Sequence, residues 1–331
     1  MIIKQTGTIL IQREMTSLDE DPVFSMTSFA SDKNINYFYV VHETRYKYTA
    51  PISNSKHLFR LQPVHDLEQS ILSYRLSISA NASQVCNFTG VFGNHASFVE
   101  IKEPYSELSF LSQGVIAVSE TSKQLNLVHQ PRTMPLIWMP WDQVMLQAYL
   151  QAPELPESEL FELSEYAMSF VKKNNNDVFA VLQDINKTIF REFSYVPGST
   201  TSYTTAYDVL VNRRGVCQDF SNLLICLARL LNVPARYRMG YIYTGGHYDN
   251  QAQADATHAW VEVYLPYLGW IGLDPTNGCE AGKNHIRTAC GRHYKDATPT
   301  SGTVFSAEPG TQESLTTSVK VLLLNTPSPK A

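Results

Sequence analysis

The 331-residue sequence has no CxxC pair, no block of lysine and arginine, and no long apolar run. Its five cysteines, Cys86, Cys217, Cys226, Cys279 and Cys290, are odd in number and irregularly spaced. That pattern argues against a disulfide framework and for a reducing compartment. Lys and Arg number 26 against 31 Asp and Glu, a formal charge of -5. The clustered basic face that nucleic acid requires is missing. No stretch approaches the roughly 18 apolar residues of a membrane span. In the opening MIIKQTGTILIQRE, polar residues intervene before a signal-peptide core of about 7–15 apolar residues can form. The expectation is a soluble, cytoplasmic protein without nucleic-acid or membrane partners.

Hydrophobic residues make up 44% of the chain and charged residues 17%, which suits ordinary buried cores. Residues 1–35 read as an extension of uncertain structure, with one short apolar run and then a Ser-, Asp- and Thr-rich stretch. From 36 to 130 short runs alternate with period two, as in SILSYRLSISA, and Gly90, Gly93 and Asn94 punctuate them. Such runs predict an antiparallel β-sandwich domain. A connector over 131–157 holds Pro131, Pro135, Pro140, Pro153 and Pro156, a density that argues against a long helix. Helices dominate next. ESELFELSEYAMSFVKK is acidic at its start and basic at its end, which suits the helix dipole. DVFAVLQDINKTIFREF sets Val178, Val181, Leu182, Ile185 and Ile189 on one stripe, with Asp177 as N-cap. Strands follow at ARYRMGYIYT, THAWVEVYLP and LGWIGLDPT, and TTSVKVLLLN is expected to close their sheet. Helices followed by antiparallel strands predict an α+β core over 158–331.

Chemistry concentrates at three places. In Gly215-Val216-Cys217-Gln218-Asp219-Phe220, an apolar-periodic helix begins at the cysteine. A thiol there faces unpaired backbone N–H groups and the positive dipole end, both of which favour the nucleophilic thiolate. The same N–H groups are candidate oxyanion donors. The plainer reading of a free cysteine is a small buried hydrophobe. Cys226, inside the apolar stripe of the same helix, takes that reading.

His258 opens one strand and Asp274 ends the next, with a short turn around Leu265–Gly269 between them. An antiparallel hairpin makes the two cross-strand neighbours. A carboxylate would then hold the imidazole while its other nitrogen faces a thiol. Taken singly, a histidine at a strand end is more often structural, and an aspartate before proline is more often a turn former.

Together the three segments resemble the transglutaminase-like superfamily, whose core is shared with papain-type cysteine proteases. The similar pieces are Gly215-Val216-Cys217-Gln218-Asp219-Phe220, His258-Ala259-Trp260, Gly269-Trp270 and Asp274-Pro275-Thr276, in that order. Pro234-Ala235-Arg236-Tyr237 through Gly240-Tyr241, and His285-Ile286 through Gly291-Arg292-His293-Tyr294, resemble further segments of bacterial members. In the β domain the similar pieces are His42-Glu43-Thr44-Arg45-Tyr46, Arg60-Leu61-Gln62-Pro63 and Phe92-Gly93-Asn94. The likeness covers about 37–325. It departs at His293, where such proteins usually carry Asp.

The resemblance implies a papain/transglutaminase-like core and acyl transfer at an amide through a thioester, on a peptide or protein substrate, without a cofactor. It implies Cys217, His258 and Asp274 as catalytic triad. The leading expectation is a cysteine peptidase or amidase cleaving a peptide or isopeptide bond. Its rivals are protein-glutamine amine transfer and an inert binding module that keeps the triad. Gln218, Tyr203 and Trp260 are candidates for substrate or oxyanion contacts. Arg213 and Arg214 more plausibly solvate a helix end than bind a carboxylate. Cys279, His285, Cys290 and His293 lie close in sequence, but their spacing fits no zinc pattern, and no metal is expected.

Overall fold

Strand β1 (Ile35–Phe59) is 25 residues long and organises the first half of the molecule. In the computed structural model, the described residues are 34–119, 133–201, 203–245, 256–266, 268–306 and 310–324. Residues 34–324 form one compact unit. The readings made for residues 1–33 lie outside the described residues.

β2 (Gln69–Ile78), β3 (Gln84–Thr89), β4 (His95–Ile101) and β5 (Tyr105–Ser119) join β1 in one antiparallel sheet, in the order β2-β5-β1-β4-β3. The pairing of β1 with β5 shifts register between Lys47 and Ile52. Beyond that irregularity β1 takes β4 as its neighbour. The antiparallel β region expected from period-two alternation is present. Its strands are one continuous hydrogen-bonded sheet around a core of Phe59, Leu61, Val99, Ile101, Leu108 and Phe110.

The Pro-rich connector contains α1 (Pro140–Leu150), which begins on a proline and has no buried residue. Proline at a helix start lacks only an N–H that has no intrahelical partner anyway. α2 (Glu157–Lys173) and α3 (Val178–Glu192) follow, and the Asp177 side chain accepts from the Ala180 amide at 2.8 Å, the expected N-cap. Short β6 (Ser194–Tyr195) pairs in parallel with β7 (Arg214–Gly215), flanking α4 (Ala206–Asn212). α5 (Cys217–Leu230) is buried along most of its length. It packs on the second sheet, made of β8 (Ala235–Ile242), β9 (His258–Leu265), β10 (Gly269–Asp274), β11 (Cys279–Glu280) and β12 (His285–Gly291), in the order β11-β10-β9-β8-β12. The shared core includes Phe220, Leu223, Leu224 and Leu227 of the helix with Ala235, Val261 and Leu273 of the strands.

The C-terminal strands correct one expectation. After the one-turn α6 (Tyr294–Ala297), β13 (Thr300–Ser306) and β14 (Glu313–Leu323) return to the first sheet and pair with β1. They do not close the core sheet. Alternation in TTSVKVLLLN specifies a strand but not its partner, and β1 is long enough to hold neighbours on both edges. A small cluster of Phe38, Val40, Ile116, Val118 and Val319 packs on Tyr241 and Ile286, which seats the first sheet against the second. No described helix is long and apolar enough to cross a membrane.

Candidate active site

Cys217 is the first residue of α5, after Val216 in extended conformation. The start of the helix is fixed by Asp219. Its Oδ2 accepts from the Val216 amide at 2.8 Å and from Thr200 Oγ1 at 2.6 Å. Burial raises the Asp219 carboxyl above its ordinary range, against the pull of these two bonds. Gly215 is required here: a Cβ on it would stand 2.8 Å from Asp219 Cβ. The Val216 carbonyl takes the amides of Asp219 and Phe220. Among the described residues, no protein acceptor receives the amides of Cys217 and Gln218. Two oriented N–H groups therefore stand beside the thiol, as a helix start dictates.

His258 and Asp274 are buried, 1% and 0% exposed, and His258 Nε2 lies 2.8 Å from Asp274 Oδ2. The β9–β10 register pairs Leu273 with Val261, so the two residues are diagonal neighbours on one face, not directly opposed. The carboxylate can only accept, so His258 Nε2 donates. Nδ1 has no hydrogen-bond partner among the described residues, and Cys217 is near enough to act on the imidazole. Burial lowers the His258 pKa, but Asp274 and then Cys217 outweigh it, and the imidazole is held well above its ordinary range.

Asp274 is over-determined. Besides His258, its Oδ2 accepts from Asn277 Nδ2 at 2.7 Å and from His285 Nε2 at 3.1 Å. Its Oδ1 takes the amides of Thr276 and Asn277 at 3.0 and 3.2 Å. Burial alone would raise this carboxyl; His258 and His285 hold it well below the usual carboxylate range. His285 Nδ1 accepts the Gly282 amide at 3.2 Å, which leaves Nε2 as its protonated nitrogen. Burial keeps His285 below the ordinary histidine range.

The sequence-level candidates separate cleanly. Trp260 is buried, 1% exposed, with its ring centroid 5.9 Å from that of His258 in a stacked arrangement. It walls the imidazole. A Cβ on Gly240 would clash with the Trp260 ring and with the Ile286 carbonyl, so that glycine makes room for the wall. Gln218 lines a cavity beside the helix start. Tyr203 is 84% exposed, and Lys295 Nζ sits 5.8 Å from its ring centroid. Arg213 stacks on Phe193 and Tyr166, at 4.6 and 5.1 Å. Burial pushes the Cys226 thiol up to about 12, as its packing role requires. Of the four clustered Cys and His residues, only His285 belongs, among the described residues, to a group of possible metal ligands, with His258 and Asp274, whose candidate ligand atoms lie within 4.8 Å of one another. Those atoms are engaged in the hydrogen bonds just described.

His285 and Asn277 were not expected at the site. Burial raises the hydroxyl pKa of Tyr195, Tyr237 and Tyr294, and the charge of Cys217 raises each further. The strand pattern places His285 at a strand start, but its approach to Asp274 is a tertiary contact.

With the fold and the grouping of His258, Asp274 and His285 in view, the chain belongs to the transglutaminase-like superfamily, in its bacterial form. The family model of the transglutaminase-like superfamily matches residues 164–275, and that of the bacterial transglutaminase-like N-terminal region matches 38–117. A Mycobacterium tuberculosis protein of unassigned function is 30% identical over 285 residues, which cover 81% of this chain and 87% of the relative. A protein-glutamine gamma-glutamyltransferase from Pseudomonas aeruginosa is 32% identical over 103 residues, 30% of this chain and 15% of that protein. Among solved structures, a Cytophaga hutchinsonii protein described as a "Putative Cysteine Protease" superposes with a TM-score of 0.68 at 22% identity, covering 88% of this chain and 92% of the other. That last likeness concerns the fold.

Proposed function

We propose that this protein is a cysteine-nucleophile acyl-transfer enzyme that cleaves an amide, in a peptide or isopeptide bond, through a thioester. The observation that supports the reading is His258: its Nε2 is held by Asp274, its Nδ1 has no hydrogen-bond partner among the described residues, and Cys217 helps to raise its pKa. The thiol proton passes to Nδ1, and Sγ attacks the carbonyl carbon. Charge develops on the carbonyl oxygen, and the amides of Cys217 and Gln218 are the donors at hand. The imidazolium returns its proton to the leaving nitrogen, the C–N bond breaks, and the thioester remains. Water then loses a proton to Nδ1, attacks the thioester and releases the thiol. Asp274 keeps the ring oriented and favours its charged form throughout.

Iodoacetamide labelling mapped by residue tests the nucleophile across pH, in the wild type and in His258→Ala. Selective labelling of Cys217 near pH 6, lost in the variant, is expected. Equal labelling of Cys217 and exposed Cys86 in both proteins would remove the reading and favour a binding module.

A second reading, amine transfer to glutamine, is favoured by the likeness to the Pseudomonas aeruginosa gamma-glutamyltransferase over 103 residues. The thioester is common to both, and the attacking group differs. Incorporation of a labelled primary amine into a glutamine-containing protein would select it; release of free acid or amine alone selects hydrolysis.

A further inference from the structure

β12 is an edge strand of the core sheet: β8 lies on its inner side, and no strand of that sheet lies beyond it among the described residues. An edge strand leaves a row of backbone N–H and C=O groups without a ladder partner. Here two side-chain amides from the first sheet's half of the chain meet that row. Gln69, the first residue of β2 and 1% exposed, accepts the Arg287 amide on Oε1 at 2.7 Å and donates from Nε2 to the Arg287 carbonyl at 2.8 Å. Nε2 also donates to the Val64 carbonyl at 2.7 Å, so both N–H groups are used and the amide's orientation is fixed. Asn94, just before β4 and also buried, does the same at Cys290, accepting the amide at 2.8 Å and donating to the carbonyl at 2.7 Å. In a regular strand, residues three apart would turn these groups to opposite edges. The β8–β12 register shifts between Arg287 and Ala289, and that irregularity lets both face outward.

The two holds differ in what lies near them. Arg287 follows His285 by two residues, about 7 Å along the strand, whereas Cys290 follows it by five, about 17 Å, beyond the register shift. The residues flanking His285 are tied to the first sheet as well. Asn36 Nδ2 donates to Asn284 Oδ1 at 3.0 Å, and Ile286 is buried with Phe38 and Val40. The bond from the Gly282 amide to His285 Nδ1 fixes the ring only within its own segment. The reach of His285 to Asp274, at 3.1 Å, is near the long end of the N–H···O range, so a shift of about half an ångström loses that bond.

We propose that Gln69 is a positioning residue of the active site: by holding the outer edge of β12 at Arg287, it keeps His285 on the carboxylate that orients His258. The inference rests on the reading of Cys217, His258 and Asp274 as the reacting groups, and it deepens that reading by giving the first sheet a part in it. Gln69 touches none of the three. It acts through the backbone of Arg287, two residues along the strand to His285, and from there through Asp274 to His258. Asn94 makes a matching hold on the same strand without that path, and it is the control.

Imidazole NMR of the full chain carrying nitrogen-15 histidine reads the position of His285 without any substrate. The His285 Nε2 proton, buried and bonded, should give a downfield signal in slow exchange with water, assigned by its loss in His285→Ala. Gln69→Leu is expected to broaden or abolish that signal, and Asn94→Ala to leave it in place. Thermal melts of the two variants should fall by similar amounts, since each uncovers buried backbone groups of one strand. Gln69→Leu should also slow iodoacetamide labelling of Cys217 near pH 6 by about fivefold, the kinetic equivalent of one net hydrogen bond, and Asn94→Ala should not slow it. Placed in His285→Ala, Gln69→Leu should add nothing further. If Gln69→Leu does not fold, Asn36→Ala, at a half-buried position, carries the same tests with a slowing of about twofold. An unmoved His285 signal, equal slowing by Gln69→Leu and Asn94→Ala, or effects that multiply in the double variant would overturn the positioning role. Failure of the catalytic reading appears instead as wild-type Cys217 labelling no faster than exposed Cys86, whatever the histidine signal does.

Discussion

His285 donates its Nε2 proton to the same Asp274 oxygen that receives His258, at 3.1 Å against 2.8 Å. The second histidine is neutral and fixed by the Gly282 amide, so it acts on the first only through the shared carboxylate. It is a positioning residue. His285→Ala is expected to lower kcat about tenfold with KM nearly unchanged, the cost of one charge-assisted hydrogen bond. His285→Gln, whose amide can still donate, should recover most of the loss. A fall confined to KM would argue against this role.

Asp274→Asn leaves the shape of the site but reverses one hydrogen bond, since an amide nitrogen facing Nε2 demands the wrong tautomer. If the proposed roles hold, a loss of about 10³–10⁴ in kcat is expected, as in triads altered this way. Turnover of a peptide amide, with circular dichroism as control for folding, checks it. Activity within tenfold of wild type would exclude Asp274 as the orienting group.

The His258 imidazole is raised above its ordinary 6.5 in the folded protein. A raised basic group stabilises the fold fully below its unfolded pKa, and that contribution is lost as pH rises through the folded value. Wild-type melting temperature should therefore decline between pH 6.5 and about 10. His258→Ala should show a flatter profile across that window. Parallel profiles would mean that the imidazolium is not stabilised by its surroundings.

Gly215→Ala is expected to disturb the helix start, because its Cβ meets Asp219. Asp219 must then move from the Val216 amide, a loss of about 1 kcal/mol for a displaced cap. Urea titration should show that loss, and iodoacetamide labelling of Cys217 should slow with it. Slower labelling without a change in stability would place the effect elsewhere.

Away from the site, Glu262 Oε2 bridges Arg236 at 2.6 Å and Arg238 at 2.7 Å, and Arg236 lies over the Trp270 ring at 4.1 Å. Burial would raise this carboxyl, but Arg238 and then Arg236 hold it well below its ordinary 4.5. Glu262→Gln leaves a buried cation under-compensated and should cost about 3 kcal/mol at pH 7. A depressed carboxyl stabilises above its unfolded pKa, and the contribution is lost as pH falls through the folded value. The wild type should thus lose stability below pH 4.5, and the variant should lose less. Equal stability of the two at pH 7 would show the bridge to be energetically neutral.

Much of this site was legible as local pattern. A glycine, a cysteine and an apolar helical stripe determine that a thiol sits at a helix start, because helix ends leave amides unpaired whatever surrounds them. Two alternating runs joined by a short turn determine that His258 and Asp274 come near each other, because a hairpin fixes register over a few residues. The helical stripe of α3 and its Asp177 cap were likewise local and were found where expected. The approach of His285 to Asp274, the packing of Trp260 over Gly240, and the return of β13 and β14 to β1 were not legible. Each joins segments whose own sequences fix a conformation but not a partner, since period-two alternation specifies a face and leaves the neighbouring strand open. The sequence alone thus determined the chemical groups and their local geometry. Tertiary packing decided which groups converge on one carboxylate, because that depends on contacts between residues far apart in the chain.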